Sequence, residues 1–350
     1  MLSSRTETIL KSIVGQYITT ALPIPSDTIA HNYELGVSPA TIRNEMAYLE
    51  REGYVTRPHP SAGSIPSDKG YRYYVESLSE IILPLAEQRL ISHLFHQVER
   101  QLDEWLSLAA TVVAQLAHNV AIVTLPKPTD CRLKHVELIA LQESLLLVVL
   151  VLHGARIKQQ LITFDQTMSQ PGLMAIANKL NAAYSGLTRR QISAKGIELT
   201  PTEQQLTDCL LKIMQAEDEG VDEKPCLDGL HFILKQPEFT HGQRIIALME
   251  LVEGRNLLRV ILPHGVGKDG VEVIIGKENE AKAIHDYSVV ISQYGLPKEA
   301  IGTIGVLGPT RMPYARIIPT VGYLSLVLSK LVAELYGRQT PAAPFGHDVN

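Results

Sequence analysis

Residues 38–74 read SPATIRNEMAYLEREGYVTRPHPSAGSIPSDKGYRYY, and this stretch limits the possible folds more than any other part of the chain. Ser38 offers a side-chain oxygen to the first free amides of a helix, and Pro39 suits the first helical position, where its missing N–H costs nothing. Ile42, Met46 and Leu49 recur at helical spacing, and Gly53 follows where a left-handed residue closes a helix. The spacing predicts a helix over 39–52. Its opposite face carries Ala40, Asn44, Ala47 and Arg51, flanked by Thr41, Arg43 and Tyr48. YVTR (54–57) has strand character, whereas PHPSAGSIP (58–66) continues neither helix nor strand, because its prolines lack the N–H. Ser67 caps a further helix to about residue 79.

The segment upstream fits the same plan. Ser4 and Glu7 form a capping box before Ile9, Leu10, Ile13, Val14, Tyr17 and Ile18, which predicts a helix over 4–19. The prolines of ALPIPS break it. Ser26 caps a second short helix with Ile29, Ala30 and Tyr33 facing inward, ending near Gly36. Two short helices joined by a tight glycine turn make a helix-turn-helix arrangement. In that arrangement the second helix enters the major groove of DNA, and a hairpin-like loop directly after it is a wing along the phosphate backbone. The candidate DNA-contacting residues are Ser38, Ala40, Thr41, Arg43, Asn44, Ala47 and Tyr48 on the helix. On or beside the wing they are Arg57, His59, Ser61, Gly63, Lys69 and Arg72. On the helix, arginine pairs with guanine and asparagine with adenine; Arg57, His59, Ser61, Ser64, Lys69 and Arg72 can donate to phosphate, as can the backbone amides of Ala62 and Gly63. The tyrosines of GYRYY are expected to pack the wing onto the domain, with one hydroxyl free for phosphate. Two plainer readings stand beside this one: a protein–protein module, and Arg43 and Asn44 as ordinary solvated helix surface.

Charge argues against indiscriminate nucleic-acid affinity. The chain carries a net charge of −5, and its first 80 residues hold seven Lys/Arg against nine Asp/Glu. Residues 53–74 improve the balance, with three cations and only Asp68. Phosphate neutralisation usually dominates affinity. The expectation is therefore modest binding per subunit, raised by dimerisation and by helix N-termini. The 350 residues allow two or three domains. Three scattered cysteines suggest a reducing compartment, and neither a leader nor a spanning apolar run is apparent, so a cytoplasmic protein with no membrane association is expected.

Further along, residues 85–118 read as one long or two consecutive helices with an apolar seam, expected to link domains and to touch a partner subunit. VAIVTLP, LKHVELIAL and SLLLVVLVLHGARIKQQLITF read as strands of an antiparallel sheet. Amphipathic helices dominate 166–263, with CLDGLHFIL and LLRVIL as strand candidates. Strand character resumes at 270–276 and 301–310, with a helix expected over Lys282–Tyr294 between them, so the sheet looks interrupted by a helical insertion. A C-terminal helix and a frayed tail follow. Other chemistry is weakly signalled. His93 and His96 lack a third ligand, Cys131 and His135 are a poor pair, and HGVGKDG (264–270) lacks the frame of a phosphate loop. Arg311 suits an anion or, more simply, a structural ion pair. No metal, cofactor or catalytic set is expected.

The string SPATIRNEMAYLEREGYVTRPHPSAG near the N-terminus resembles the HrcA family of bacterial heat-inducible transcription repressors. IIGKENEAKAIHDYSVVISQYG and GTIGVLGPTRMPYARII near the C-terminus are independently similar to it. The resemblance spans nearly the whole chain. It implies an α+β multidomain protein: an N-terminal winged helix-turn-helix, then a GAF-like α/β domain with an inserted, mostly helical dimerisation domain. The corresponding expected bounds are 1–80 for DNA binding, 81–118 for a helical linker, 119–165 with 263–340 for the GAF-like domain, 166–262 for the insertion and 341–350 for the tail. It further implies a homodimer on double-stranded DNA, at an inverted-repeat operator of the CIRCE type, with activity maintained by the GroE chaperonin and no enzymatic role. The alternative is an effector-gated regulator sensing a small molecule through the GAF-like domain. Two departures stand out. Ser64 replaces the arginine usual after SAG, which removes one expected wing–phosphate cation, and Ile24-Pro25-Ser26 replaces Val-Gly-Ser.

Overall fold

The computed structural model describes residues 2–32, 38–59, 62–78, 81–98, 101–127, 131–142, 144–153, 156–164, 168–219, 225–240, 242–253, 270–297 and 299–337. The turn at 33–37, Ser61, the LLRVIL segment, most of HGVGKDG and the tail lie outside them.

The chain is mixed α/β. Its first part is a head of helices α1 (Ser4–Thr20), α2 (Ser26–Asn32) and α3 (Pro39–Arg51), a two-stranded ribbon of β1 (Val55–Thr56) and β2 (Ile65–Pro66), and α4 (Asp68–Glu76). Ser3, not Ser4, caps α1, its hydroxyl accepting from the Thr6 amide. The predicted stripe Ile9, Leu10, Ile13 and Val14 is fully buried.

Helices α5 (Leu85–Gln97) and α6 (Leu102–Ala117) follow as two elements, because Val98 is extended. The seam of α6 is spent inside the subunit: Trp105, Leu106, Ala109 and Val113 are buried in the same core as the final helix, here α12 (Tyr314–Leu335). Helix α12 is long and apolar enough to cross a membrane by length and composition. Here its apolar side, Ile317, Val321, Leu324, Leu328 and Val332, is core.

The body is a five-stranded antiparallel sheet in the order β7-β3-β10-β9-β8. Its strands are β3 (Val120–Val123), β7 (Cys226–Asp228), β8 (Val271–Ile275), β9 (Tyr287–Leu296) and β10 (Ala300–Pro309). Side chains alternate across it. Val290, Ile304 and Val306 meet α6 and α12, whereas Val289, Ile291 and Leu307 meet α10 (Leu230–Ile233) and α11 (Gly242–Glu253). The helix expected over Lys282–Tyr294 does not form. A single 3-10 turn at Lys282–Ile284 precedes β9. A central strand buried on both faces reads as a continuous apolar run, which periodicity does not separate from a buried helix.

The strands expected to share that sheet form a second one. Strands β4 (Leu133–Gln142), β5 (Leu145–Leu152) and β6 (Arg156–Thr163) pair only with one another. One face packs on α7 (Gln170–Tyr184) and α9 (Pro201–Glu219), with α8 (Arg189–Ala194) between them in sequence. The inserted unit therefore begins near residue 131 rather than 166, and 226–253, expected within it, belong to the body. A meander closes on itself, so its alternation is the same whichever sheet it joins. The outer edge of β4 is closed by side chains: Asn181 bridges both backbone groups of Val136, and Gln170 meets the Ala140 N–H and the Leu138 carbonyl. Chain enters the insertion after β3 and returns on β7, which pairs directly with β3.

The two faces of the second sheet make different demands. Leu138→Ala, at a fully buried site, should cost about 2–5 kcal/mol in urea unfolding followed by circular dichroism. Leu161→Ala, 57% exposed on the opposite face, should cost under about 0.5 kcal/mol when unfolding is followed at a dilution where subunits do not pair.

A candidate nucleic-acid interface

Helix α3 is built as its sequence predicts. The Ser38 hydroxyl accepts from the Thr41 amide at 3.2 Å, and Pro39 occupies the first turn. Ile42, Met46 and Leu49 bury against the head's core. The opposite face presents Ala40, Arg43, Asn44, Ala47 and Arg51 to solvent, with Thr41 and Tyr48 half-buried. The body does not cover this face: among the described residues, the side-chain hydrogen bonds and ion pairs of α3 go to α1, α2, its own cap or Arg57. Arg43 donates through Nε to Ser26 Oγ and through Nη2 to Asp27 Oδ1, each at 3.3 Å. Both partners are largely exposed, so the pair holds the guanidinium only loosely. Asp27 carries no signal in sequence for this role, since it reads as an ordinary first-turn acid.

The ribbon after α3 is anchored on the segment before α2. Ile24 and Ser64 exchange both backbone hydrogen bonds at 2.9 Å. Gly63 is required there, because any Cβ would collide with the Ile24 backbone. Ser64 is fully buried and its hydroxyl has no partner. Position 64 thus faces inward, and the cation expected to be lost here has no place on the ribbon's outer surface in this backbone arrangement. His59 is exposed, Gly63 half-buried, and Arg57 is paired with Glu50 at 3.2 Å.

Two expected phosphate ligands are engaged elsewhere. Lys69 donates to the Glu52 carbonyl at 2.8 Å and lies over the Tyr54 ring at 4.2 Å. There its charge meets the negative end of the α3 dipole. Arg72 leaves the head altogether: Nε reaches Glu278 Oε1 at 2.8 Å and Nη2 reaches the Val273 carbonyl at 2.7 Å. The tyrosines divide likewise. Tyr54 and Tyr73 stack edge-on, whereas Tyr71 is buried against Tyr314 of the body with ring centroids 6.1 Å apart. That burial pushes the Tyr71 phenol well above its ordinary pKa.

Arg311 is a structural ion pair, the simpler of its two readings. Its guanidinium meets Glu238 Oε2 at 3.1 Å and the Ile18 carbonyl, in the last turn of α1, at 3.0 Å. His93 and His96 bond within their own helix, to Gln97 and the Ser92 carbonyl. His135 pairs with Glu137, and burial together with nearby Asp218 and Glu217 pushes the Cys131 thiol up to about 12. A largely apolar cleft of about 440 Å³ lies beside β7, lined by residues that include Leu227, Leu230 and His231.

The fold and this surface define a multi-unit α/β protein whose small head displays a capped helix and a ribbon from a sheet-based body. A family profile described as "HrcA protein C terminal domain" matches residues 103–318. A protein of Dehalococcoides mccartyi named heat-inducible transcription repressor HrcA is 53% identical over 97% of this chain and 98% of its own length. One of the same name from Roseiflexus castenholzii is 40% identical over 96% of each chain. A crystal structure described as a hypothetical protein shares the fold, with a TM-score of 0.60 and 24% identity over 95% of this chain and 99% of its own. The chain belongs to the HrcA family.

The cap and the loose pair should behave differently. Ser38→Ala should cost about 0.5–2 kcal/mol of stability by thermal unfolding, whereas Asp27→Asn should leave the melting temperature within experimental scatter.

Proposed function

We propose that this chain is a sequence-specific DNA-binding repressor of heat-shock operons rather than an enzyme, acting as a homodimer on an inverted-repeat operator of the CIRCE type. On this reading the head is a winged helix, α3 reads the major groove and the β1–β2 ribbon lies on the adjacent backbone. One observation carries it: the first two turns of α3 are capped, rigidly backed by a buried stripe, and open to solvent. Small side chains at Ala40 and Ala47 let the helix approach base edges closely, while arginine and asparagine, as at Arg43 and Asn44, are the side chains that pair bidentately with guanine and adenine. The names of the relatives support the regulatory role.

The pairing surface we infer is the outer face of the second sheet. Ile139, Leu147 and Leu161 stand directly abreast across β4, β5 and β6. Leu141 and Ile157 are also exposed there. A contiguous apolar face of this kind is unusual on a monomer. Two-fold pairing would place two α3 helices on the two half-sites of a symmetric operator. The body is read as the GAF-like domain, and the GroE chaperonin as the factor that sustains the folded dimer.

Arg43→Ala should weaken binding to an inverted repeat by about 1–3 kcal/mol in a mobility-shift assay, with no change in melting temperature. Unchanged specific affinity would remove Arg43 from the reading. Leu147→Asp with Leu161→Asp should give a folded monomer by light scattering, and a persisting dimer would locate assembly elsewhere. Footprints on the operator with and without purified chaperonin test the last element: protection that does not respond to chaperonin would exclude it.

A further inference from the structure

The head is clamped to the body at three places. At the first, Arg72 of α4 is held by the Glu278 carboxylate and the Val273 carbonyl. Glu278 is itself fixed, because its Oε2 accepts from the Ile275 amide at 2.8 Å. At the second, the Asp68 carboxylate accepts from the Lys277 amide at 3.1 Å. This approach needs Gly276, which has φ +52° and where an added Cβ would stand 2.6 Å from that carboxylate. At the third, Arg311 donates to the Ile18 carbonyl at the end of α1, a helix with no basic residue in its own last turn. The Tyr71–Tyr314 pair fills the space between, both rings buried.

A single contact leaves a rigid body free to rotate. Contacts from two helices of the head onto separate body segments remove that freedom. Charge-assisted and bidentate bonds are also the strongest and most directional available to such a joint.

We propose that this joint is a determinant of operator selectivity: by fixing the head's orientation on the body, Arg72, Glu278 and Asp68 set the one half-site separation that both α3 helices of a dimer can engage together. The proposal rests on the DNA-binding dimer above. A rigid pair of heads gains avidity only at the matching separation. A loosened pair gains less there and loses less elsewhere. The joint residues would thus govern specificity without touching a base, and Arg72 would act on DNA through geometry rather than through phosphate.

The test uses the full-length protein and a series of inverted repeats that differ only in the spacer between half-sites. For the unaltered chain, affinity should fall about 10²-fold or more away from the best spacer. For Glu278→Gln, and separately for Asp68→Asn, that fall should shrink to under about tenfold, because binding at the best spacer weakens while binding at the others holds or rises. Uniform weakening at every spacer, or an unchanged profile in both single variants, would overturn the proposal. Failure of the unaltered chain to prefer any inverted repeat would instead overturn the DNA-binding reading.

Discussion

The register of three strands places nearly everything else. Ser288 at the start of β9 lies opposite Ile275 at the end of β8 and opposite Gly308 near the end of β10. One end of the sheet therefore gathers the turn at 276–278 and the turn at 310–314. These two turns supply Lys277, Glu278, Arg311 and Tyr314, the body's half of the joint with the head. Ten residues of β9 pair with ten of β10 without interruption, and a slip of one residue would turn every side chain of a strand to the opposite face. The head's seat is thus as well defined as the central pairing of the sheet. The Tyr314 hydroxyl adds a tie at the same end, bonding Ser288 Oγ and the Thr310 carbonyl.

Such a joint has an uneven energetic character. Arg311, which reaches across to the Ile18 carbonyl of the head, is itself paired within the body to Glu238; both are mostly withdrawn from water, so their mutual attraction is offset by the cost of desolvating both. The net gain over an apolar contact is small. Loss of either partner is costly, because the other is left buried and unpaired. An interface made this way favours one arrangement over near neighbours more than it adds to overall stability. Apolar burial holds the units together, as the core runs without a break from Ile9 and Leu10 of the head to Tyr314 and Ile317 of the body.

The head was the most legible part of the sequence because its signals are local. A cap, a proline and a three-residue stripe define α3 within fourteen positions, 38–51. The body was harder for a physical reason. Val289, Val290 and Ile291 are all buried, and a run buried on both sides has lost the alternation that marks a strand. The second sheet was recognisable as strands, but its membership was not, since pairing partners are a property of tertiary structure. Charged residues were hardest of all. Nothing near Arg72 in sequence announces Glu278, more than two hundred residues away, so GYRYY reads equally well as a phosphate ligand or as a joint. In sequence Arg311 suits either an anion site or an ion pair, and only its partners, Glu238 and the Ile18 carbonyl, decide between them.

The disposition of cations bears on how an acidic head can hold a polyanion. Of its seven Lys and Arg, five meet a carboxylate or carbonyl within the protein, Arg43 only loosely. Lys11 pairs with Glu7, Arg43 with Asp27 and Arg57 with Glu50, while Lys69 meets the Glu52 carbonyl and Arg72 meets Glu278. A head so neutralised gains little from releasing counterions, the term that dominates most DNA binding. On the proposed reading its affinity has to come from close fit: helix-terminal amides at the start of α3, a ribbon held by the Ile24–Ser64 pairing, and two copies engaged at once. Each of these depends on geometry, and avidity depends on it most steeply, because a second head contributes only where the first has already placed it correctly. A weakly charged reader therefore needs a stiff mount, and the polar clamp between α4, α1 and the end of the sheet is the part of this molecule that supplies one.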